Sequence, residues 1–118
     1  MALFKNQQHK GIDEQPISSI ISEGSVIDGT FKAPGFVRVD GQINGNVTIE
    51  GGMILGEKGS VKGNVNTKQI VVYGIVDGDV TAEALEIRST GKIKGNIKTN
   101  SIQMDSGAVY NGTLSMSV

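Results

Sequence analysis

The residues of this chain best suited to chemistry are carboxylates and amides beside glycines: Asp28-Gly29, Asn44-Gly45, Gly63-Asn64, Asp77-Gly78-Asp79, Gly95-Asn96 and Asn111-Gly112. A calcium site would gather about six to eight oxygen ligands at one point. Asp28, Asp77 and Asp79 are isolated along the chain, and the Gly-Gly-x-Gly-x-Asp repeat of calcium-binding β-rolls is absent. A phosphate loop needs Gly-x-x-x-x-Gly-Lys-Ser/Thr, whereas the residue after each of these glycines is Asn, Asp or Thr. Nucleophilic or acid–base catalysis needs an activated thiol, imidazole or comparable base. The chain has no cysteine, and its single histidine, His9, lies in a polar N-terminal stretch. These residues therefore predict no catalytic residue, no cofactor and no metal, and they must serve the elements that carry them.

Those elements repeat. Gly91-Lys-Ile-Lys-Gly-Asn-Ile97 returns as Gly41-Gln-Ile-Asn-Gly-Asn-Val47, Gly59-Ser-Val-Lys-Gly-Asn-Val65 and Gly74-Ile-Val-Asp-Gly-Asp-Val80, with looser copies at Ser25 to Phe31 and Ala108 to Leu114. The second glycines, Gly29, Gly45, Gly63, Gly78, Gly95 and Gly112, are separated by 16, 18, 15, 17 and 17 residues. Each copy alternates as Ile-x-Gly-x-Val, a period of two that predicts a short strand with one face buried. The inward pairs are Ile27/Phe31, Ile43/Val47, Val61/Val65, Val76/Val80, Ile93/Ile97 and Tyr110/Leu114. A second alternation follows each of the first five copies, giving Val37/Val39, Met53/Leu55, Ile70/Val72, Leu85/Ile87 and Ile102/Met104.

Length varies only in the connections, which is what corners between fixed strands tolerate. A coil of about 17 residues per turn would lay each strand parallel to its counterpart one turn on, at about 4.8 Å. The predicted fold is an all-β parallel β-helix of about six turns, one for each copy. The central glycine is expected to let facing walls close over large Ile and Val side chains, so valine at Gly63 or Gly78 should overpack the core. Outside, Thr30, Asn46, Asn64, Asp79, Asn96 and Thr113 would stack, with Asn64 and Asn96 donating to the Asp79 carboxylate. A neighbouring column of Asp28, Asn44, Lys62, Asp77, Lys94 and Asn111 puts Asp77 between two lysines.

Composition narrows the function further. The 118 residues carry a formal charge of −1, lysines are mixed with acids, and the five aromatics, Phe4, Phe31, Phe36, Tyr73 and Tyr110, are scattered. A nucleic-acid surface wants a basic stripe with exposed aromatics, so direct nucleic-acid binding is not expected. No apolar run is long enough to span a bilayer or to form the core of a secretory signal, which predicts a cytoplasmic protein. Residues Met1 to Pro16 show no periodicity and are read as a flexible tail, ahead of a β-helical domain over residues 17–118. At its start, Met1, Leu3, Phe4 and Lys5 form a candidate membrane contact. Burial of Leu3 and Phe4 in a lipid interface would contribute about 1.5 to 3 kcal/mol each, and Lys5 about 1 kcal/mol beside anionic headgroups. Display of many copies on one polymer would convert that weak contact into firm attachment.

A solenoid has two open ends, each with unpaired backbone groups and an apolar core edge. Soluble monomeric solenoids cap them. No cap is evident here: Met116 and Val118 continue the alternation past Leu114, and Ile21, Ile27 and Phe31 lead in at the other end. Ile21, Ile27, Phe31, Tyr110, Leu114 and Met116 are the candidate self-assembly residues, and end-to-end stacking would build a filament from subunits about 29 Å long.

The whole chain resembles the bactofilins, a family of bacterial cytoskeletal proteins. The resemblance is carried by Gly24-Ser-Val-Ile-Asp-Gly-Thr-Phe31, by Gly-Asn-Val or Gly-Asp-Val at Gly45, Gly63 and Gly78, and by the amphipathic start Met1 to Lys5. It implies a right-handed, roughly triangular β-helix that polymerises end to end without nucleotide into filaments with no direction. It also implies attachment to the inner face of the cytoplasmic membrane through Met1, Leu3, Phe4 and Lys5, and a scaffold role for cell-wall enzymes, polarity proteins or chromosome-segregation factors. Unlike many members, the sequence runs only to Val118 after its last repeat, so a role that depends on a proline-rich C-terminal tail is not expected. A second reading is a β-helical regulatory module, similar to the division-site inhibitor, that docks a partner through its side face. Filament formation without a partner separates the two. Left-handed β-helix acyltransferases are a third comparison, but they need a six-residue period and a coil histidine, and both are missing.

Overall fold

The computed structural model describes residues 19–116. A first strand, β1 (Ser19–Ile21), precedes a turn made of β2 (Val26–Asp28), β3 (Phe31–Ala33) and β4 (Phe36–Val39). Each later turn has a short strand and a long one: β5 (Gln42–Asn44) with β6 (Val47–Leu55), β7 (Ser60–Lys62) with β8 (Val65–Val72), β9 (Ile75–Asp77) with β10 (Val80–Ile87), and β11 (Lys92–Lys94) with β12 (Ile97–Met104). The last turn is β13 (Val109–Asn111) followed by β14 (Leu114–Met116). The short strands stack in the order β13-β11-β9-β7-β5-β2, and the remainder form a second sheet. The strand pairings are parallel and join each turn to the next, as in Ile43 to Val61 and Val61 to Val76. The fold is thus the all-β parallel solenoid of about six turns that the repeat predicts.

The coil has three walls, because each long strand does the work of two. β6 pairs with β3 through Val47 to Ile49 and with β4 through Gly52 to Leu55. Inward residues show the bend: Val65 and Thr67 are buried in β8, then Ile70 and Val72, and in β10 Val80 and Ala82, then Leu85 and Ile87. The buried face switches parity between Thr67 and Ile70, which only a corner can reconcile with one core. The short strands are the first wall, the leading halves of the long strands the second, and their trailing halves the third.

These walls account for the uneven repeat. Where β6 faces β8 the register shifts between Ile49 and Gly52, so the earlier turn holds one extra residue at Gly51. The corner after the third wall contains either two residues, as at Asp40-Gly41, or a four-residue turn closed by a hydrogen bond such as Gly59 N to Gly56 O at 2.9 Å or Gly91 N to Arg88 O at 2.8 Å. A plain turn of 15 residues, lengthened by one for the bulge and by two for the longer corner, gives the observed 16, 18, 15, 17 and 17.

The structure corrects the role assigned to the central glycine. Ile-x-Gly-x-Val is not one strand but two: the first wall ends at Asn44 and the second begins at Val47, so Gly45 forms the corner between them. At Gly63 and Gly78 φ is +148° and +153°, and a Cβ on either would run into the backbone oxygen of Gly45 or Gly63 one turn earlier. The close approach is therefore between stacked backbones, not between facing walls. It lets the hydrogen-bond ladder continue around the corner, with Gly63 N donating to Asp77 O at 3.0 Å and Val65 N to Asp79 O at 2.8 Å.

The outer ladder is also wired differently from the expectation. Backbone groups donate and side chains accept: Asn64 N to Asn46 Oδ1 at 3.2 Å, Asp79 N to Asn64 Oδ1 at 3.1 Å and Asn96 N to Asp79 Oδ1 at 2.9 Å. An oxygen at this position satisfies a corner N–H that no strand serves, and both Asn and Asp supply one. The neighbouring column stacks as predicted, with Asp77 in register between Lys62 and Lys94.

Candidate self-assembly interface

Inside the coil, burial depends on which turn a residue occupies. On the first wall Ile43, Val61, Val76 and Ile93 are 0 to 1% exposed. Their counterparts at the ends, Ile27 and Tyr110, are only partly buried while packing on the same core. The second wall behaves alike: Val47, Val65, Val80 and Ile97 are closed, Phe31 is partly buried, and Leu114 is 40% exposed. Both columns are aliphatic or aromatic throughout, with Phe31 and Tyr110 at the ends. What changes is the absence of a further described turn to cover their ends.

The two ends are stepped. At the N-terminal end the third wall starts one strand early, with β1 lying on β4 and Ile21 in register with Val39. Ile21 is consequently 8% exposed, whereas Ile27 and Phe31 occupy the uncovered lips of the other two walls. At the C-terminal end the third wall stops at β12, while β13 and β14 extend the first and second. Tyr110, Leu114 and Met116 line that end together with Ile102 and Met104, which have no described strand beyond them. Ala33 and Ala108 complete the two faces as partly buried packing residues.

Four of these residues, Ala33, Ile102, Met104 and Ala108, lie outside the set proposed from sequence. The signal for Ile102 and Met104 was available, since the second alternation has no copy after Met104. Met1, Leu3, Phe4 and Lys5, like His9, lie outside the described residues, so the membrane contact stands on sequence.

One polar atom at the C-terminal face lacks a counterpart. Tyr110 Oη is buried without a hydrogen-bond partner among the described residues. Leaving a buried hydroxyl unsatisfied costs about 1 to 3 kcal/mol. Among the described residues β1 and β14 end one strand order and β2 and β13 the other, and such an edge offers a template for another strand. Chemically, these faces can bury apolar surface and extend a ladder. Among the described residues, no group of three or more His, Cys, Asp or Glu could hold a metal ion, and no helix is long and apolar enough to cross a membrane.

Comparison with known proteins points the same way. Residues 19–115 match the family model described as "Bactofilin: Polymer-forming cytoskeletal". Over 100 residues the chain is 27% identical to bactofilin BacP and 23% identical to bactofilin BacO, both of Myxococcus xanthus, covering 84% of this chain in each case. It spans 42% of the length of BacP and 79% of BacO. Among solved structures, the chain of the Thermus thermophilus bactofilin double helical filaments superposes with a TM-score of 0.76 at 26% identity, covering 82% of this chain and 99% of that one. The cytoskeletal bactofilin BacA, solved by solid-state NMR, gives 0.73 at 27% identity, covering 85% and 97%.

Proposed function

This chain belongs to the bactofilin family, and we propose that it is a cytoskeletal scaffold that assembles end to end, without nucleotide, into filaments held on the inner face of the cytoplasmic membrane. The family is structural and not enzymatic, and its description is polymer-forming. The observation that carries the reading is a pair of apolar faces that no described turn covers: one column of side chains is sealed in the middle turns and open at both ends of the described coil. Filaments built by a relative with the same fold support it.

In this reading residues 17–118 form the polymerising domain, and residues 1–16 carry the membrane contact. The filament has no direction, and it supports cell shape or localises cell-wall enzymes or polarity proteins. Family membership and the sequence of Met1 to Lys5 support these roles.

The direct test is negative-stain microscopy of purified protein stripped of nucleotide. Filaments are expected, and a strictly monomeric species at high concentration would reject the proposal. Filaments that formed only with an added partner would favour the regulatory-module reading instead.

A second experiment isolates the anchor. Deleting Met1 to Lys5 is expected to abolish co-sedimentation with anionic vesicles while leaving filaments intact. Burial of Leu3 and Phe4 supplies about 1.5 to 3 kcal/mol each per copy, and avidity multiplies the effect along the polymer. Binding that survives the deletion would place the contact elsewhere.

A further inference from the structure

The outer surface of the third wall differs from that of the second. Lys32, Thr48, Asn66, Thr81 and Lys98 point outward from the second wall and are all exposed. On the third wall the register stacks Ile20, Arg38, Ile54, Val71, Glu86 and Gln103 in one outward column. Ile54 lies between the inward Met53 and Leu55, and Val71 between the inward Ile70 and Val72. They nevertheless have exposures of only 4% and 0%. This part of the outer surface is thus apolar and shielded from water, unlike that of the second wall. Ile20, in the same column, is 63% exposed.

Beside this strip is a depression of about 590 Å³ whose lining includes Ile20, Arg38, Asp40, Ile54, Lys58 and Tyr73. Its rim holds charges of both signs, paired as Arg38 Nε to Asp40 Oδ2 at 2.9 Å and Lys58 Nζ to Glu23 Oε1 at 3.2 Å. It thus combines an apolar floor with a rim able to meet either sign of charge.

We propose that this depression is the seat of the chain's own N-terminal segment, residues 1–18, with Leu3 and Phe4 held against Ile20 and Ile54 until a lipid surface competes for them. Seating there would hide the anchor on subunits away from a membrane and release it at one. The proposal rests on the anchor reading given above and adds its regulation.

Three observations single out this occupant. The segment joins the coil at Ser19, the first residue of β1, so the chain enters on the third wall directly beside Ile20. Phe4 is fifteen residues from Ser19, and at about 3.3 Å per extended residue that length gives a reach of about 50 Å. A short tether also holds its end at an effective concentration of order mM, so even a weak contact is populated. Finally, the segment matches the seat in kind. Its apolar residues include Leu3 and Phe4, and its Lys5, Lys10, Asp13 and Glu14 carry both signs of charge, as the rim does.

The chain has no tryptophan, so Phe4→Trp introduces a single fluorophore at the proposed contact. Without lipid, the indole is expected to show the blue-shifted emission of a buried ring. Adding Ile20→Asp should return it to the solvent value, while Thr81→Asp on the second wall should not. Ile20 is exposed, so the change leaves the core alone, and microscopy would confirm that filaments persist. If the segment is about nine-tenths seated, freeing it tightens the apparent affinity for anionic vesicles about tenfold.

A solvent-like indole in the lipid-free parent would overturn the proposal, as would a buried indole indifferent to Ile20→Asp. Burial that disappears on dilution, or when filaments are broken by Phe31→Arg, would assign the cover to a second copy and also reject a seat within one chain. If the indole responds as expected but no variant binds vesicles, the seat stands and the anchor reading falls.

Discussion

Gly78→Val is expected to prevent the coil from folding stably, losing the far-UV circular dichroism of the sheet and any cooperative melt. Two costs add. The residue has φ at +153°, where a β-branched side chain is strained by about 1 to 3 kcal/mol. Its Cβ would also meet the carbonyl oxygen of Gly63, which is backbone and has little room to yield, because Gly63 N is tied to Asp77 O and Val65 N to Asp79 O on either side. Overpacking of that kind costs about 1 to 3 kcal/mol or more. The sum takes a large part of the roughly 5 to 15 kcal/mol available to a domain.

Comparison with other substitutions tests the reason as well as the size. If the glycine served to let facing walls close, Gly78→Ala would be nearly harmless and only larger residues would hurt. With stacked backbones at a corner, alanine already places the offending Cβ and should be destabilising. Gly29 is the internal control: its φ is +117°, but nothing lies within 4 Å of a Cβ there, because it starts the stack. Gly29→Ala should therefore incur only the conformational term. A Gly78→Ala protein melting alongside Gly29→Ala would reject the corner explanation.

Much of the coil could be read from sequence because its constraints are periodic. The inward pairs, the parallel stacking, the confinement of length changes to corners and the column through Asp77 all follow from recurrence. What escaped was set by single residues whose type contradicts their place. Thr67 and Thr99 are buried although polar, since each hydroxyl can donate to a backbone carbonyl: Thr67 Oγ1 to Gln69 O at 3.3 Å, and Thr99 Oγ1, with its one proton, to Ser101 O at 2.9 Å or to Glu83 O of the preceding turn at 3.2 Å. With Ile49 and Ala82 in register alongside them, they line an inward column that apolar alternation does not reveal. Ile54 and Val71 are the converse, apolar residues at outward positions, which read as parts of continuous apolar runs until the register separates the faces.

The self-assembly residues were legible in part for the same reason, because terminal repeats look like internal ones. The stepped ends depend on which wall starts and stops the coil, and that is a matter of three-dimensional closure. Ile21 thus belongs to the N-terminal lead-in yet is covered, whereas Ile102 and Met104 sit in an ordinary repeat yet reach the terminal face.

Arginine at either lip should stop filament growth while leaving the coil folded, and the product should reveal how subunits meet. Leu114 is already 40% exposed and Phe31 only partly buried, so each substitution can be accommodated in an isolated subunit. In a stacked interface the guanidinium would lose water without a partner, at a cost of several kcal/mol. A loss of about 4 kcal/mol weakens a contact about a thousandfold, enough to replace filaments with short species in sedimentation. If like faces meet, Leu114→Arg blocks one class of contact and leaves dimers joined through the N-terminal faces, while Phe31→Arg leaves dimers joined through the opposite faces. Only the double variant would then be monomeric. If unlike faces meet, either substitution alone yields monomers, and mixing the two variants restores one contact between the unmodified lips. Undiminished filaments from both variants would show that the open apolar ends are not where the polymer is made.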